Sequence, residues 1–270
     1  MALTAFQRDV CLVLARQRVA SGESYVAGGV ALNELTAGAR ISRDIDLFHD
    51  TREALASSWT ADRVALFAAG YVADAINERP GFVQAVVRRD ADSVLLEWTH
   101  DSAYRFFPLV EHPELGVTLH PFDLATNKVL ALVGRVEPRD WVDVIHCNDA
   151  VQPLGLLAWA ACAKDLGFSP AAIVEHASRT ARYSADELLG LDFEGTAPDV
   201  LALSTRWRAI VQAARESLNV LPSDQVGSCV MAGGGLFRGD AAALRVALAS
   251  GVITFRRGSI RGAFPRIVTH

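Results

Sequence analysis

Apolar residues at Phe6, Val10, Val13 and Leu14 recur at helical spacing, so residues 4 to 20 are expected to form an amphipathic helix ending at Ser21-Gly22. A short strand, Ser24 to Ala27, then runs into the pair Gly28-Gly29, and a helix-like stretch covers Val30 to Ala37. The run Asp44-Ile45-Asp46-Leu47-Phe48 alternates polar and apolar residues. That period of two puts both aspartates on one face of a strand, with Ile45 and Leu47 on the other. Residues 52 to 69 return to helical spacing. Three strand-like runs follow, Tyr71 to Asn77, Phe82 to Arg88 and Ser93 to Thr99, the last two joined as a hairpin over Arg89-Asp90-Ala91-Asp92.

From Leu124 onward strand signals thin out. Helical patterns occupy the stretch to Gly134, then Arg139 to Cys147, Leu154 to Leu166, Ala171 to Thr180 and Val200 to Leu218. Met231-Ala232-Gly233-Gly234-Gly235 reads as a flexible breaker before a helix over Ala241 to Ala249 and a strand over Val252 to Phe255. The predicted class is α+β: a mixed sheet flanked by helices over residues 1 to 120, then a mostly helical region over 121 to 270. No repeat or low-complexity tract interrupts it.

Composition narrows the function classes. With 270 residues, 51% hydrophobic and 21% charged, the chain suits a folded globular protein. A net charge of −5 and a pI near 5.8 argue against a general nucleic-acid coating protein, which needs a basic surface. The first ten residues lack the basic start and apolar block of a secretory signal. The most apolar stretch, Leu154 to Ala163, falls short of the roughly 20 residues that cross a bilayer. Cys11, Cys147, Cys162 and Cys229 form no CxxC pair, and the histidines show no zinc spacing. A cytoplasmic protein without structural zinc or a membrane span is expected.

Asp44 and Asp46 are the first candidates for chemistry. Two like charges inside an apolar strand are unfavourable unless a cation or basic group offsets their repulsion. Hard cations such as Mg²⁺ take carboxylate oxygens, and adjacent aspartates at i and i+2 supply them. The chain carries an internal control, because Asp90-Ala91-Asp92 has the same spacing but sits at a hairpin turn, where aspartate serves local backbone hydrogen bonds. Gly28-Gly29 sharpens the reading. A backbone without Cβ atoms lets phosphate oxygens reach the amides, and the start of a helix attracts anions.

Val26-Ala27-Gly28-Gly29 followed by Asp44-Ile45-Asp46-Leu47 resembles the signature of the DNA polymerase β type nucleotidyltransferase superfamily. The longer pattern, Ala27 to Leu32 and then Arg40-Ile41-Ser42-Arg43-Asp44-Ile45-Asp46-Leu47-Phe48, is similar to the AbiEii branch. That branch comprises toxin-type nucleotidyltransferases of abortive-infection and toxin–antitoxin modules. A second block, Asn127-Lys128-Val129-Leu130-Ala131-Leu132, Arg135 and Pro138-Arg139-Asp140-Trp141-Val142-Asp143, resembles its K…R…RDxxD element. The likeness covers roughly residues 24 to 147.

The resemblance implies a nucleotidyltransferase-like sheet, a nucleoside triphosphate as substrate, and Mg²⁺, with Mn²⁺ as an alternative, held by Asp44 and Asp46. It also implies that Lys128 contacts nucleotide, that the acceptor is RNA such as a tRNA 3′ end, and that an antitoxin partner exists. A third carboxylate normally completes such a site, as metal ligand or proton acceptor. Glu97 in Val94-Leu95-Leu96-Glu97-Trp98 is the candidate, with Asp101, of the same parity, as fallback.

Lys128 and Arg135 lie seven apart and project from one helix face, which suits triphosphate charge. Asp140 and Asp143 are neighbours at i and i+3, read either as nucleotide-site residues or as groups that orient Lys128 and Arg135, the bland alternative being a surface ion-pair cluster. Arg40 and Ser42, just before the aspartate strand, are placed to reach phosphate oxygens, the bland alternative being a solvated loop with a turn hydrogen bond. Arg256, Arg257, Arg261 and Arg266, interleaved with Phe255 and Phe264, read as a solvated tail that keeps RNA acceptors in play.

The expected mechanism has Gly28-Gly29 and Lys128 positioning the triphosphate, Asp44 and Asp46 holding Mg²⁺, and a hydroxyl activated near Glu97 attacking the α-phosphate. The helical region would close over the nucleotide. Rival readings are a glycosyltransferase, for which residue 44 comes early, a small-molecule adenylyltransferase, and a non-catalytic nucleotide-binding protein on the same scaffold.

Overall fold

The computed structural model describes residues 3–180 and 183–260. These divide into two compact units: one ends at His120 and regains the chain from Ser259, and the other is Pro121–Gly258.

The first unit contains α1 (Ala5–Ser21), β1 (Ser24–Ala27), α2 (Gly28–Thr36), β2 (Arg40–Ile41), β3 (Asp44–His49), α3 (Arg52–Ala68), β4 (Val72–Arg79), β5 (Phe82–Arg89), β6 (Asp92–His100), β7 (Tyr104–Arg105), β8 (Val110–His112) and β9 (Gly116–Thr118). Seven strands form one sheet in the order β4-β5-β6-β3-β1-β9-β8. Two pairs, β3 with β6 and β1 with β9, are parallel, so the sheet is mixed as expected. Helix α2 starts at Gly28, two residues before the predicted Val30, because the glycine pair is itself the first turn.

Alternation decides what each sheet face does. Ile45 and Leu47 on β3 and Val94, Leu96 and Trp98 on β6 are buried against α1 and α3, and Val83, Ala85 and Val87 on β5 are buried in the same layer, in register with the β6 residues. Each fully buried side chain of this size contributes about 1.5–3 kcal/mol. The residues of opposite parity, Asp44, Asp46, Phe48, Leu95, Glu97 and Gln84, are only half-buried. This second face carries the acids.

Helix α1 is fixed at both ends. Thr4 and Gln7 form a reciprocal capping box, and Gly22 adopts φ 64° to close the C-terminus. Gln7 also donates from Nε2 to the Ser42 carbonyl at 2.7 Å, tying the helix start to the turn that precedes β3.

Beneath the sheet lies a buried polar group that the hydrophobic pattern does not announce. Arg18, His49 and Asp62 are all essentially inaccessible. Trp98 donates its indole N–H to Asp62 Oδ2 at 2.9 Å, and Arg18 Nε reaches the Leu115 carbonyl at 3.4 Å. Burial pushes Asp62 up, against the pull of Arg18 and Trp98. Burial, reinforced by the Arg18 charge, drives His49 from 6.5 down to about 4, although the Thr99 and Leu47 carbonyls and Asp50 oppose it.

His49 is therefore neutral in the fold at pH values where the unfolded chain already takes a proton. Its contribution is full above about 6.5 and is lost as pH falls toward 4, a change of about 3 kcal/mol. Asp62 slopes the opposite way, so the informative quantity is a difference. Between pH 7 and 4 the urea midpoint of the wild type is expected to fall relative to that of His49→Gln. A constant gap between the two would refute the assignment.

The second unit contains α4 (Pro121–Arg135), α5 (Pro138–Ala150), α6 (Leu154–Ala161), α7 (Pro170–Thr180), α8 (Ala185–Leu189), β10 (Asp192–Phe193), α9 (Val200–Leu218), β11 (Ser228–Ala232), β12 (Gly235–Leu236), α10 (Ala241–Ala249) and β13 (Ile253–Arg257); β14 (Ser259–Ile260) belongs to the first unit and pairs with β7. Every residue of α6 is buried, which makes it the central helix of this unit. It ends at Ala161, short of the predicted Leu166, where Lys164 turns back onto Asp123 at 2.9 Å and Asn127 at 2.7 Å. The region is mostly helical, with one addition: β12, β11 and β13 form a small sheet. The predicted breaker is a tight hairpin in which Gly233 and Gly234 supply φ of 58° and 82°, and Met231 and Ala232 belong to a strand.

Candidate active site

Gly28 sits where β1 becomes α2, at φ 64°, a conformation that disfavours any side chain. The reason for a glycine is steric as well. A Cβ there would overlap the Asp46 carboxylate at Oδ2, and one on Gly29 would overlap the Arg40 guanidinium and come 2.7 Å from Ser42 Oγ. The glycine pair is thus the floor on which Asp46, Arg40 and Ser42 rest. Helix α2 opens there without a side-chain cap, leaving its positive end directed at this point.

Strand register assembles the rest. Ala27 lies opposite Asp46, Asp46 opposite Glu97, and Glu97 opposite Gln84, one row across β1, β3, β6 and β5. Asp44 is two residues along on the same face, and accepts a hydrogen bond from Ser42 Oγ at 2.9 Å. Ser42 is buried and spends its hydroxyl on Asp44. Arg40 is also buried, with Nη1 donating to the Ile41 carbonyl at 3.3 Å. Both pack against Gly29, and neither is solvated. Glu97 accepts from Gln84 Nε2 at 2.7 Å.

The fit to a cation follows from these donors. Among the described residues no three of His, Cys, Asp and Glu are gathered closely enough to hold a metal ion by themselves. Mg²⁺ does not require that, because it typically binds one or two carboxylates and completes its shell with phosphate oxygens and water. Asp44 and Asp46 on one strand face, over a backbone cradle that a Cβ would fill, suit that mode.

The second predicted block forms its own cluster in the second unit. Lys128 on α4 is buried and pairs with Asp140 Oδ1 at 3.1 Å and Asp143 Oδ2 at 2.9 Å. Arg135 grips Asp140 with two hydrogen bonds, of 2.6 and 2.9 Å. Lys128 and Arg135 share a helix face and meet at Asp140. Burial works to raise Asp140, but the Arg135 hydrogen bond and the Lys128 and Arg135 charges together hold it below the ordinary carboxylate range.

Other sequence candidates fall outside the site. Asp101 lies just past β6 and accepts from the Ser102 backbone N–H at 2.7 Å, a turn role. Asp90 adopts φ 55° in the hairpin turn, as the internal control required. Arg256 and Arg257 are exposed on β13, whereas Arg261, Phe264 and Arg266 lie outside the described residues. All four cysteines are free and buried. No described helix is long and apolar enough to cross a membrane.

Gln84 was not anticipated. Its signal was available: stepping equally far from the two-residue turn Asp90-Ala91 along both arms of the hairpin brings Gln84 opposite Glu97. It is also the polar residue between Phe82 and Val86 on that face of β5.

A mixed sheet with a strand–Gly-Gly–helix turn lying against an Asp-x-Asp strand defines the nucleotidyltransferase fold. Among solved structures, the nucleotidyltransferase toxin MenT4 of Mycobacterium tuberculosis matches at 18% identity over 80% of this chain and 83% of its own, with a TM-score of 0.56. JHP933 of Helicobacter pylori matches at 14% identity over 80% of this chain and 93% of its own, with a TM-score of 0.50. At these identities the likeness establishes the fold. No family model and no curated protein matches the sequence.

Proposed function

We propose that the protein is a metal-dependent nucleotidyltransferase that moves a nucleoside monophosphate from a triphosphate to an acceptor hydroxyl. The observation that carries this reading is the intimate packing of Gly28 against the Asp46 carboxylate at the start of α2. Asp44 and Asp46 would hold Mg²⁺, which neutralises phosphate charge when bound. Ser42 orients Asp44, and the opening of α2 attracts the phosphates. Glu97, in register with Asp46, takes the proton of the acceptor hydroxyl as its oxygen attacks the α-phosphate; the bond to the β-phosphate breaks and pyrophosphate leaves.

Lys128 is assigned to the nucleotide by sequence resemblance, while its pairing with Asp140 and Asp143 supports a role in joining α4 to α5. An RNA acceptor and a toxin role draw support from the resemblance to toxin-type enzymes and from the fold shared with MenT4.

The test uses the full chain with each of the four labelled nucleoside triphosphates and Mg²⁺, offered RNA, protein and small-molecule acceptors, with and without EDTA. One acceptor class is expected to gain label, and EDTA is expected to abolish it. No labelling of any acceptor, or labelling indifferent to EDTA, would remove the proposal. Labelling of a small molecule alone would place the enzyme among adenylyltransferases.

A further inference from the structure

Resting on the nucleotidyltransferase reading, we infer that Gln84 is the positioning residue of Glu97: its amide Nε2, 2.7 Å from Glu97 Oε1, fixes the carboxylate in the row that contains Asp46. Glutamate has three rotatable side-chain bonds, and on a half-exposed strand face it would sample several orientations. A proton acceptor works only within hydrogen-bond reach of the hydroxyl it serves, and misplacement by about 1 Å is costly.

The surroundings make Gln84 the group able to do this. On β5 the residues of its parity are Phe82, Val86 and Arg88, of which Arg88 lies opposite Ser93 and pairs with Asp74, and on β6 the neighbours of Glu97 on the same face are Leu95 and Thr99. The hydrogen bond engages Oε1, so one oxygen is anchored and Oε2 is the one left to take the proton. An amide suits the task better than a cation. It orients the carboxylate without neutralising it, and it leaves the charge beside Asp44 and Asp46 unchanged.

The experiment compares wild type, Gln84→Met, Glu97→Gln and the double variant, using the labelled-nucleotide assay with its accepted acceptor and a urea midpoint for each protein. Methionine keeps the length and removes the donor. Gln84→Met is expected to lower kcat about tenfold with nucleotide KM unchanged, and Glu97→Gln about a hundredfold. The double variant is expected to match Glu97→Gln alone, because an anchor has nothing to position once the base is gone.

Losses that multiply in the double variant, or a change confined to KM, would overturn the positioning role. If Gln84→Met folds poorly, Gln84→Ala at the same half-exposed position gives the same comparison. Transfer by wild type that survives in Glu97→Gln at full rate overturns the inference through Glu97. Absence of transfer in wild type overturns instead the reading of the site on which it rests.

Discussion

Asp46→Asn is expected to lower nucleotidyl transfer about a thousandfold, equivalent to roughly 4 kcal/mol of transition-state stabilisation, while leaving the fold intact. Asparagine has the same shape, so its contact with the Cβ-less Gly28 survives and β3 keeps its register with β1 and β6. What disappears is the charge. A carboxamide offers a hard divalent cation one neutral oxygen in place of a carboxylate, at the strand position closest to the opening of α2. The measurement is kcat/KM at saturating Mg²⁺, joined to thermal unfolding with and without Mg²⁺ and nucleotide. Wild type is expected to gain stability from the pair of ligands and the variant to gain far less. A variant that keeps more than a tenth of wild-type activity would show that Asp46 is not a ligand in the reaction.

Much of this site could be read before any coordinates. The alternation in Asp44-Ile45-Asp46-Leu47-Phe48 fixed the face of both aspartates, because a sheet with one packed face leaves a strand no other register. The glycine pair could be placed at a strand-to-helix turn, but not its reason. That reason is contact with side chains arriving from residues 40 to 46, and local pattern carries no information on which distant atoms come within reach. The burial of Arg40 and Ser42 is hidden from local pattern for the same cause: Gln7 from α1 hydrogen-bonds the Ser42 carbonyl and covers this segment.

The unseen elements share a second cause. Strand β11 is apolar from Cys229 to Ala232 but runs straight into Gly233 and Gly234, so Met231 and Ala232 read as part of a breaker; pairing with β13 on one side and β12 on the other supplies the hydrogen bonds that make it a strand. The group of Arg18, His49 and Asp62 breaks the rule that polar residues lie outside. Only the tertiary arrangement, with Trp98 donating to Asp62, shows how part of its cost is offset.

Lys128→Met is expected to lower the unfolding free energy by about 3–5 kcal/mol, because it removes the ammonium from between two fully buried carboxylates. Asp140 retains the paired hydrogen bonds of Arg135. Adding Asp143→Asn to Lys128→Met should recover part of the loss, because it removes one of the two buried charges that lose the ammonium. Arg135, about half exposed, can be replaced by alanine at smaller cost. Acid should reproduce the trend: with its pKa depressed, Asp140 contributes fully above its ordinary 3.8 and loses that contribution as pH falls through the lower folded value. Urea unfolding of the single and double variants measures all of this, and nucleotide KM is read alongside. If Lys128→Met leaves the midpoint in place and raises KM alone, the lysine serves the triphosphate and the pairing with Asp140 and Asp143 merely aims it. If stability collapses and Asp143→Asn restores both midpoint and transfer, the block that resembles a nucleotide-binding element is the clamp between α4 and α5.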